Sequence, residues 1–159
     1  MLTTYISYGL LVALAIALIF AAITDIRSRT IANWLNAGIA LAAPVFWWSS
    51  GLALWPDVAI QLGLALGAFA FLAGLFAINM MGGGDVKLLT ALALWIAPYT
   101  FLKLLIVMAI AGGALTLVMG IHHIFKKKKE RIAVPYGVAI AVGALWVLYP
   151  KLIAVPSFA

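Results

Sequence analysis

Long apolar stretches separated by short polar segments run through the whole chain. Residues 5–24 form a continuous apolar run, and a helix of ~20 such residues crosses ~30 Å of hydrocarbon. Further apolar runs occupy 34–50, 57–79, 86–97, 101–124 and 134–149. None of them shows the alternating ten-residue pattern of a membrane β-barrel. The pattern therefore predicts an all-α, polytopic membrane protein with about six transmembrane helices, forming a single domain over residues 1–159.

The composition agrees with this prediction and excludes several kinds of site. Of the 159 residues 67% are hydrophobic and 9% are charged, and there is no cysteine for a disulfide, a thiolate nucleophile or a Cys-ligated zinc ion. The neighbouring residues His122 and His123 would point about 100° apart on a helix and could not share one metal ion. We therefore expect no metal and no cofactor. The net charge of +6 indicates contacts with membrane lipids, not with nucleic acid.

The basic residues predict the orientation of the helices. Arg27 and Arg29 in the first polar loop and the basic run 126–131 should both face the cytoplasm, which requires an even number of crossings between them. The segment 86–97 is short, covering about 18 Å as a helix, and a re-entrant segment is the alternative to a crossing. If this segment is counted as a crossing, four crossings separate the two basic segments, which is the even number required. Both termini are then outside, and the connections 25–33, 80–87 and 125–133 are cytoplasmic.

A glycine run between two apolar segments leads directly into a carboxylate. The segment reads Gly82, Gly83, Gly84, Asp85, Val86, Lys87. Glycine permits φ > 0 and close approach of another backbone, and a carboxylate inside a membrane protein is a candidate functional group. An ordinary helix N-cap is the alternative, because Asp is a preferred capping residue. Asp57 is expected to be such a cap on the outer side, without a catalytic role.

A second carboxylate, Asp25, follows the first apolar run and lies on the same predicted face as Asp85. Two nearby carboxylates can share one proton and activate a water molecule. From the helix dipoles we expect Asp85, at a helix start, to be the ionised base and Asp25, at a helix end, to be the protonated acid. Asn33 and Asn36 either cap the second helix or line a cavity. Gly112 and Gly113 are expected to allow close packing of the fifth helix.

These motifs resemble those of the type IV prepilin peptidases. The segment 25–33 resembles their first aspartate motif, 82–88 resembles their GxGD motif, and Pro135, Tyr136 and Gly137 are similar to their last-helix signature. The resemblance implies an intramembrane aspartic protease with Asp25 and Asp85 as catalytic residues. It also implies that Gly82, Gly83, Gly84 and Lys87 support the site. The substrate would be a prepilin, whose basic leader is removed after a glycine at the cytoplasmic face of the inner membrane.

Within this family the chain resembles the short, peptidase-only members associated with tight-adherence (Flp) pili. It lacks the cysteine-bearing domain of larger members that methylate the product, so we expect cleavage without methylation. The archaeal preflagellin peptidases are an alternative in the same class. A small proton-coupled transporter or channel is an alternative outside it, but the two halves show no inverted repeat. A structural subunit with two capping aspartates would leave the glycine run unexplained. The particular pilin and the oligomeric state stay open.

Overall fold

The apolar runs form helices throughout the part of the chain that the structure describes. The structure is a computed structural model covering residues 2–126 and 135–154, without the side chains of residues 122–126. Within these ranges there is no strand, which confirms the all-α prediction. The six α-helices are α1 (Leu2–Ser28), α2 (Asn33–Ser49), α3 (Ala59–Ala77), α4 (Gly83–Ala93), α5 (Pro98–Lys126) and α6 (Tyr136–Ile153).

Four of these helices have the length and hydropathy of membrane spans, so the protein is a polytopic membrane protein. They are α1, α5, α6 and the stretch Leu54–Ala77, in which a short segment (Leu54–Val58), with extended backbone at Trp55, leads into α3. The other two helices are shorter. With 17 residues α2 covers about 25 Å, and with 11 residues α4 covers about 16 Å, against ~30 Å of hydrocarbon.

Several helix boundaries differ from the sequence-based expectation. Asp25 lies inside the last turn of α1 instead of following the helix, because α1 continues to Ser28. Pro98 begins α5 instead of ending the preceding segment, as its fixed φ and missing N–H suit the first turn of a helix. Asp57 does not cap α3: it is exposed, and its carboxylate accepts a hydrogen bond from the Ala53 N–H (3.1 Å).

Contacts between helix ends define two opposite ends of the bundle. At one end the side chains of Asn33 and Asn36 in α2 reach Lys87 and Gly84 in α4. We call this the aspartate end, since it also holds Asp25 and Asp85. At the opposite end lie three hydrogen bonds: Ser7 Oγ to Ser49 Oγ (3.0 Å), Tyr8 Oη to the Leu152 carbonyl (3.0 Å), and Trp47 Nε1 to the Leu94 carbonyl (2.7 Å). Thus α2 and α4 run in the same direction, and the segment 83–97 carries the chain from one end of the bundle to the other.

The short helix α4 lies in the middle of the bundle, packed against α2, α3 and α6. Leu88, Leu89 and Leu92 are fully buried. Side-chain hydrogen bonds hold the C-terminal end of α4 and the segment that follows it. The buried Gln61 amide of α3, with its nitrogen turned towards α4, donates to the Ala93 (2.9 Å) and Ile96 (3.1 Å) carbonyls, and so satisfies groups that a helix end leaves without partners. Trp95 Nε1, just after α4, donates to the Ile39 carbonyl (2.9 Å) in the middle of α2. These bonds fix the far end of a helix that is too short to span.

The helices α5 and α6 approach one another closely at Gly143. A Cβ on Gly143 would lie 2.8 Å from the Leu104 carbonyl oxygen. Gly112 also faces α6, in ordinary contact with Tyr136 and Ala139, whereas Gly113 faces open space. The expected close packing therefore involves only the first glycine of that pair. Three other expectations lie outside the described residues: the side chains of His122 and His123, residues 127–131 of the basic run, and a start of the sixth helix at Val134.

Candidate active site

Asp25 is held at the aspartate end by the first turn of α6. Its side chain is 6% exposed, and its Oδ2 atom accepts a hydrogen bond of 2.7 Å from the Gly137 N–H. Gly137 is the second residue of α6, where backbone N–H groups have no partner within the helix. A carboxylate at this position is stabilised by the positive end of the helix dipole. The backbone of α6 therefore fixes the orientation of the Asp25 carboxyl group through Oδ2.

Only glycine fits at position 137. A Cβ there would lie 2.8 Å from Asp25 Oδ2 and 2.9 Å from both Asp25 Cβ and Cγ, closer than real Cβ contacts. Since Asp25 Cβ is attached to the α1 backbone, the clash could be relieved only by displacing Asp25, by separating α1 from α6, or by both. The resemblance of residues 135–137 to a family signature pointed to this segment, but no sequence pattern indicated that the Gly137 amide would contact Asp25.

Asp85 lies in the first turn of α4, two residues after the helix start at Gly83, and is half-buried. The N-cap is Gly82, and its backbone N–H donates to the Asp85 carboxyl group. This is the reach of a capping-box side chain from the third helical position back to the cap. Asp85 is therefore not the N-cap residue considered from the sequence, but its carboxyl group does accept a hydrogen bond from the backbone N–H of the N-cap residue.

The two carboxyl groups are close enough to affect one another. Burial of Asp85, and next the negative charge of Asp25, raise the pKa of Asp85 to about 6, while the Gly82 hydrogen bond acts in the opposite direction. Asp85 precedes the buried part of α4 and lies outside the four helices that are long enough to span. The helix-dipole argument had expected Asp85 to be the ionised member of the pair. Burial and the neighbouring charge act against that preference of Asp85, and the assignment of the proton within the pair stays a prediction.

The three glycines before Asp85 are needed for close approach, not for φ > 0. A Cβ on Gly82 would lie 2.9 Å from Asp85 Oδ2, one on Gly83 would lie 3.3 Å from the Phe76 ring, and one on Gly84 would lie 3.3 Å from Ile31 Cβ. In the described part of the chain Gly51 is the glycine with positive φ. The run therefore lets the start of α4 sit against α3 and the loop after α1 while leaving room for the carboxylate.

Side chains of α2 and α4 join the two helices beside the aspartates. Lys87 Nζ donates to Asn33 Oδ1 (2.8 Å), and Asn36 Nδ2 donates to the Gly84 carbonyl (3.4 Å). The cap position of α2 is Ala32, without a side-chain cap bond. Of the two uses considered for Asn33 and Asn36, the structure thus supports the lining of a cavity, since both border a cleft between α2, α3 and α4.

A bundle of apolar helices with two neighbouring carboxyl groups at one end defines a membrane-embedded protein equipped for acid–base chemistry. Comparison with known families identifies the family of such proteins to which this chain belongs. The chain belongs to the type IV leader peptidase family, whose model matches residues 12–117. Neither a curated protein nor a solved structure gives a significant match.

The matched residues contain both aspartates and the glycine run, whereas Gly137 lies beyond them. The family assignment, together with the apolar helices, makes the protein a membrane-embedded peptidase and implies a prepilin-like substrate. It therefore favours a hydrolase over the transporter and the structural subunit that the sequence left as alternatives.

Proposed function

We propose that this protein is an aspartic endopeptidase that removes the N-terminal leader of Flp-like type IV prepilins, with Asp25 and Asp85 as the catalytic pair. The observation that carries the proposal is the placement of two carboxyl groups at the same end of the bundle, Asp25 bound to the first turn of α6 and Asp85 in the first turn of α4. Two neighbouring carboxyl groups can share a proton, which is the state needed to hydrolyse a peptide bond.

The environments of the two aspartates favour a different catalytic role for each. Asp85, whose pKa is raised, carries the shared proton and donates a hydrogen bond to the oxygen of the scissile carbonyl. Asp25, held through Oδ2 by Gly137, takes a proton from the attacking water on Oδ1. The water oxygen bonds to the carbonyl carbon, the C–N bond then breaks, and the leaving nitrogen receives the proton that Asp25 accepted. The products are a carboxylic acid and a free amine, and the pair keeps one proton.

The supporting residues hold this geometry. Gly82, Gly83 and Gly84 let the first turn of α4 approach its neighbours, and the bond from Lys87 to Asn33 joins α4 to α2 at the same end. Positioning matters here because a displacement of about 1 Å at a reacting group can cost about 100-fold in rate.

We further propose that the aspartate end faces the cytoplasm of a cell with an inner membrane. Eight of the ten Lys and Arg residues lie in the three connections 25–33, 80–87 and 125–133, and such an excess marks the cytoplasmic side. A reporter fused after Lys129 is expected to signal from the cytoplasm. A signal from the outside would overturn the proposed orientation.

Cleavage of defined precursors tests the proposed activity. The purified protein in detergent is mixed with an Flp-type prepilin or an archaeal preflagellin, and the masses of the products are determined. The proposal expects the prepilin to be cut once, between leader and mature sequence. Cleavage of the preflagellin alone would move the assignment to the other branch of the class, and cleavage of neither precursor would refute the proposed function.

A further inference from the structure

A cleft of about 500 Å³ lies at the end of the bundle opposite the aspartates. It is bordered by the end of α2, the start of α3, the segment that follows α4, and α6. Most of its walls are apolar, and they include the stacked rings of Phe46 and Trp95, whose centroids are 4.8 Å apart. Ligand sites usually have volumes of about 300–1,000 Å³, so this cleft is large enough for a ligand of its own.

Two polar side chains of this cleft carry groups that no described residue uses. Lys151, in the last turn of α6, is exposed, and no described residue binds its ammonium group. Gln61 is 6% exposed, and its amide nitrogen donates to the end of α4, but no described residue donates to its oxygen. An amide oxygen without a donor is uncommon in a side chain buried to this extent. The cleft therefore offers one ligand both an acceptor and a cation.

A third side chain, Asp57, determines which charges suit the cleft. Asp57 is exposed, and its Oδ2 atom accepts the hydrogen bond from the Ala53 N–H. It borders the same cleft as Lys151, but no ion pair joins the two side chains. Opposite charges on one cleft favour a ligand that carries both a positive and a negative group over a simple anion or a simple cation.

The cleft lies at the level where lipid headgroups are expected. Trp48, Trp55 and Tyr99 are close in the sequence to its lining residues, and all three are exposed. Exposed Trp and Tyr side chains at the ends of spanning helices mark the boundary between hydrocarbon and water. A phospholipid headgroup is therefore a ligand that can reach the cleft from the membrane.

We propose that this cleft binds a phosphoethanolamine group, with its ammonium donating to Gln61 Oε1 and its phosphate paired with Lys151. The group carries one charge of each sign, and its ammonium has N–H bonds to donate, which a choline group lacks. It occurs both in the membrane lipid phosphatidylethanolamine and in soluble glycerophosphoethanolamine. The site is separate from Asp25 and Asp85, so binding does not depend on the proposed function.

The test measures the binding of defined lipids to the purified protein in a neutral detergent by native mass spectrometry. Dioleoyl phosphatidylethanolamine, phosphatidylcholine and phosphatidylglycerol are compared in the wild type, Lys151→Met and Lys103→Met. Lys103 is the matched control, because it is also an exposed lysine but lies over the Tyr99 ring (4.5 Å from its centroid) and does not line the cleft. Gln61 is not replaced, since its amide also holds the end of α4, and the change of headgroup tests its oxygen instead.

In the wild type and in Lys103→Met, we expect one phosphatidylethanolamine to bind about tenfold more tightly than either other lipid, the effect of one lost hydrogen bond to a charged group. In Lys151→Met its affinity should fall about tenfold for the same reason. Soluble glycerophosphoethanolamine is then added as a competitor. Displacement of the lipid at equal concentration would support the site and assign it to the soluble ligand, whereas retention of the lipid would support the site and assign it to the membrane.

Two results would overturn the proposal. Equal affinity of the wild type for the three lipids would show that they bind only as non-specific lipid around the helices, and this comparison does not depend on any variant. An unchanged affinity in Lys151→Met, or an equal loss in both lysine variants, would show that Lys151 does not bind the phosphate.

Discussion

Gly137→Ala should disable the enzyme through a single added carbon atom. The new Cβ would lie 2.8 Å from Asp25 Oδ2 and 2.9 Å from Asp25 Cβ and Cγ. The carboxyl group cannot turn away from this carbon without giving up the 2.7 Å hydrogen bond from the same residue's N–H. The substitution therefore displaces Asp25, separates α1 from α6, or does both.

The size of the effect follows from these contacts. Overpacking in a tight interior costs about 1–3 kcal/mol. The lost hydrogen bond to a charged group is worth about 1.5–3 kcal/mol. In an exposed helix the same substitution would stabilise by about 1 kcal/mol. We therefore expect a net loss of stability of about 1.5–5 kcal/mol. Because a shift of about 1 Å in a reacting group lowers the rate about 100-fold, we also expect a loss of activity of about that size.

The assay compares leader cleavage and thermal unfolding of Gly137→Ala with those of Gly113→Ala. Gly113 is an exposed helical glycine whose added Cβ would meet nothing within 4 Å, so this control should keep wild-type activity and at least wild-type stability. Gly137→Ala should reach the membrane, unfold at a lower temperature and lose about 100-fold in kcat/KM. Cleavage at the wild-type rate would refute the argument that the first turn of α6 positions Asp25.

Three further predictions concern the other parts of the site and the core. Since burial and the partner carboxylate raise the pKa of Asp85 to about 6, kcat/KM should fall as the pH rises through that region, because the pair then loses its shared proton; a flat pH profile of cleavage from 5 to 8 would contradict this. Gly84→Val should lower cleavage at unchanged abundance, because its Cβ would press on Ile31 at 3.3 Å, whereas Gly38→Val, with nothing within 4 Å, should not. Trp95→Phe should lower the free energy of unfolding by about 1 kcal/mol by removing the bond to the Ile39 carbonyl, measured in detergent, with cleavage retained.

The sequence was sufficient to predict the helices and the end of the bundle at which the two aspartates meet. Both follow from one-dimensional features: the lengths of the apolar runs, and the parity that places residues 25 and 85 on one side. The segment 86–97 illustrates this, since parity required it to join the two ends although its helix is too short to span. Hydropathy did not indicate that α4 would be enclosed by other helices, because a buried helix and a lipid-exposed one are equally apolar.

The contacts within the site could not be predicted, because they join residues far apart in the chain. Nothing near Gly137 in the sequence indicates a bond to Asp25, 112 positions away. Of the two reasons expected for the glycine run, close approach is confirmed and positive φ is wrong, and the sequence could not identify Ile31 as the neighbour of Gly84 because that contact is a tertiary one. For the same reason the proton preference of Asp85 was assigned from its own helix alone, without the burial and the neighbouring charge that act against it.

Replacement of each aspartate by asparagine tests the central claim most directly. Asp25→Asn and Asp85→Asn keep the size of the side chain but cannot exchange the shared proton, whereas Asp57→Asn changes an exposed carboxylate at the opposite end. Cleavage of a co-expressed prepilin is measured together with the abundance of each variant in the membrane. The account predicts that both site variants accumulate normally and lose at least about 1,000-fold in cleavage, while Asp57→Asn stays active. Retained cleavage in either Asp25→Asn or Asp85→Asn would contradict the catalytic pair and leave both aspartates as helix-end residues.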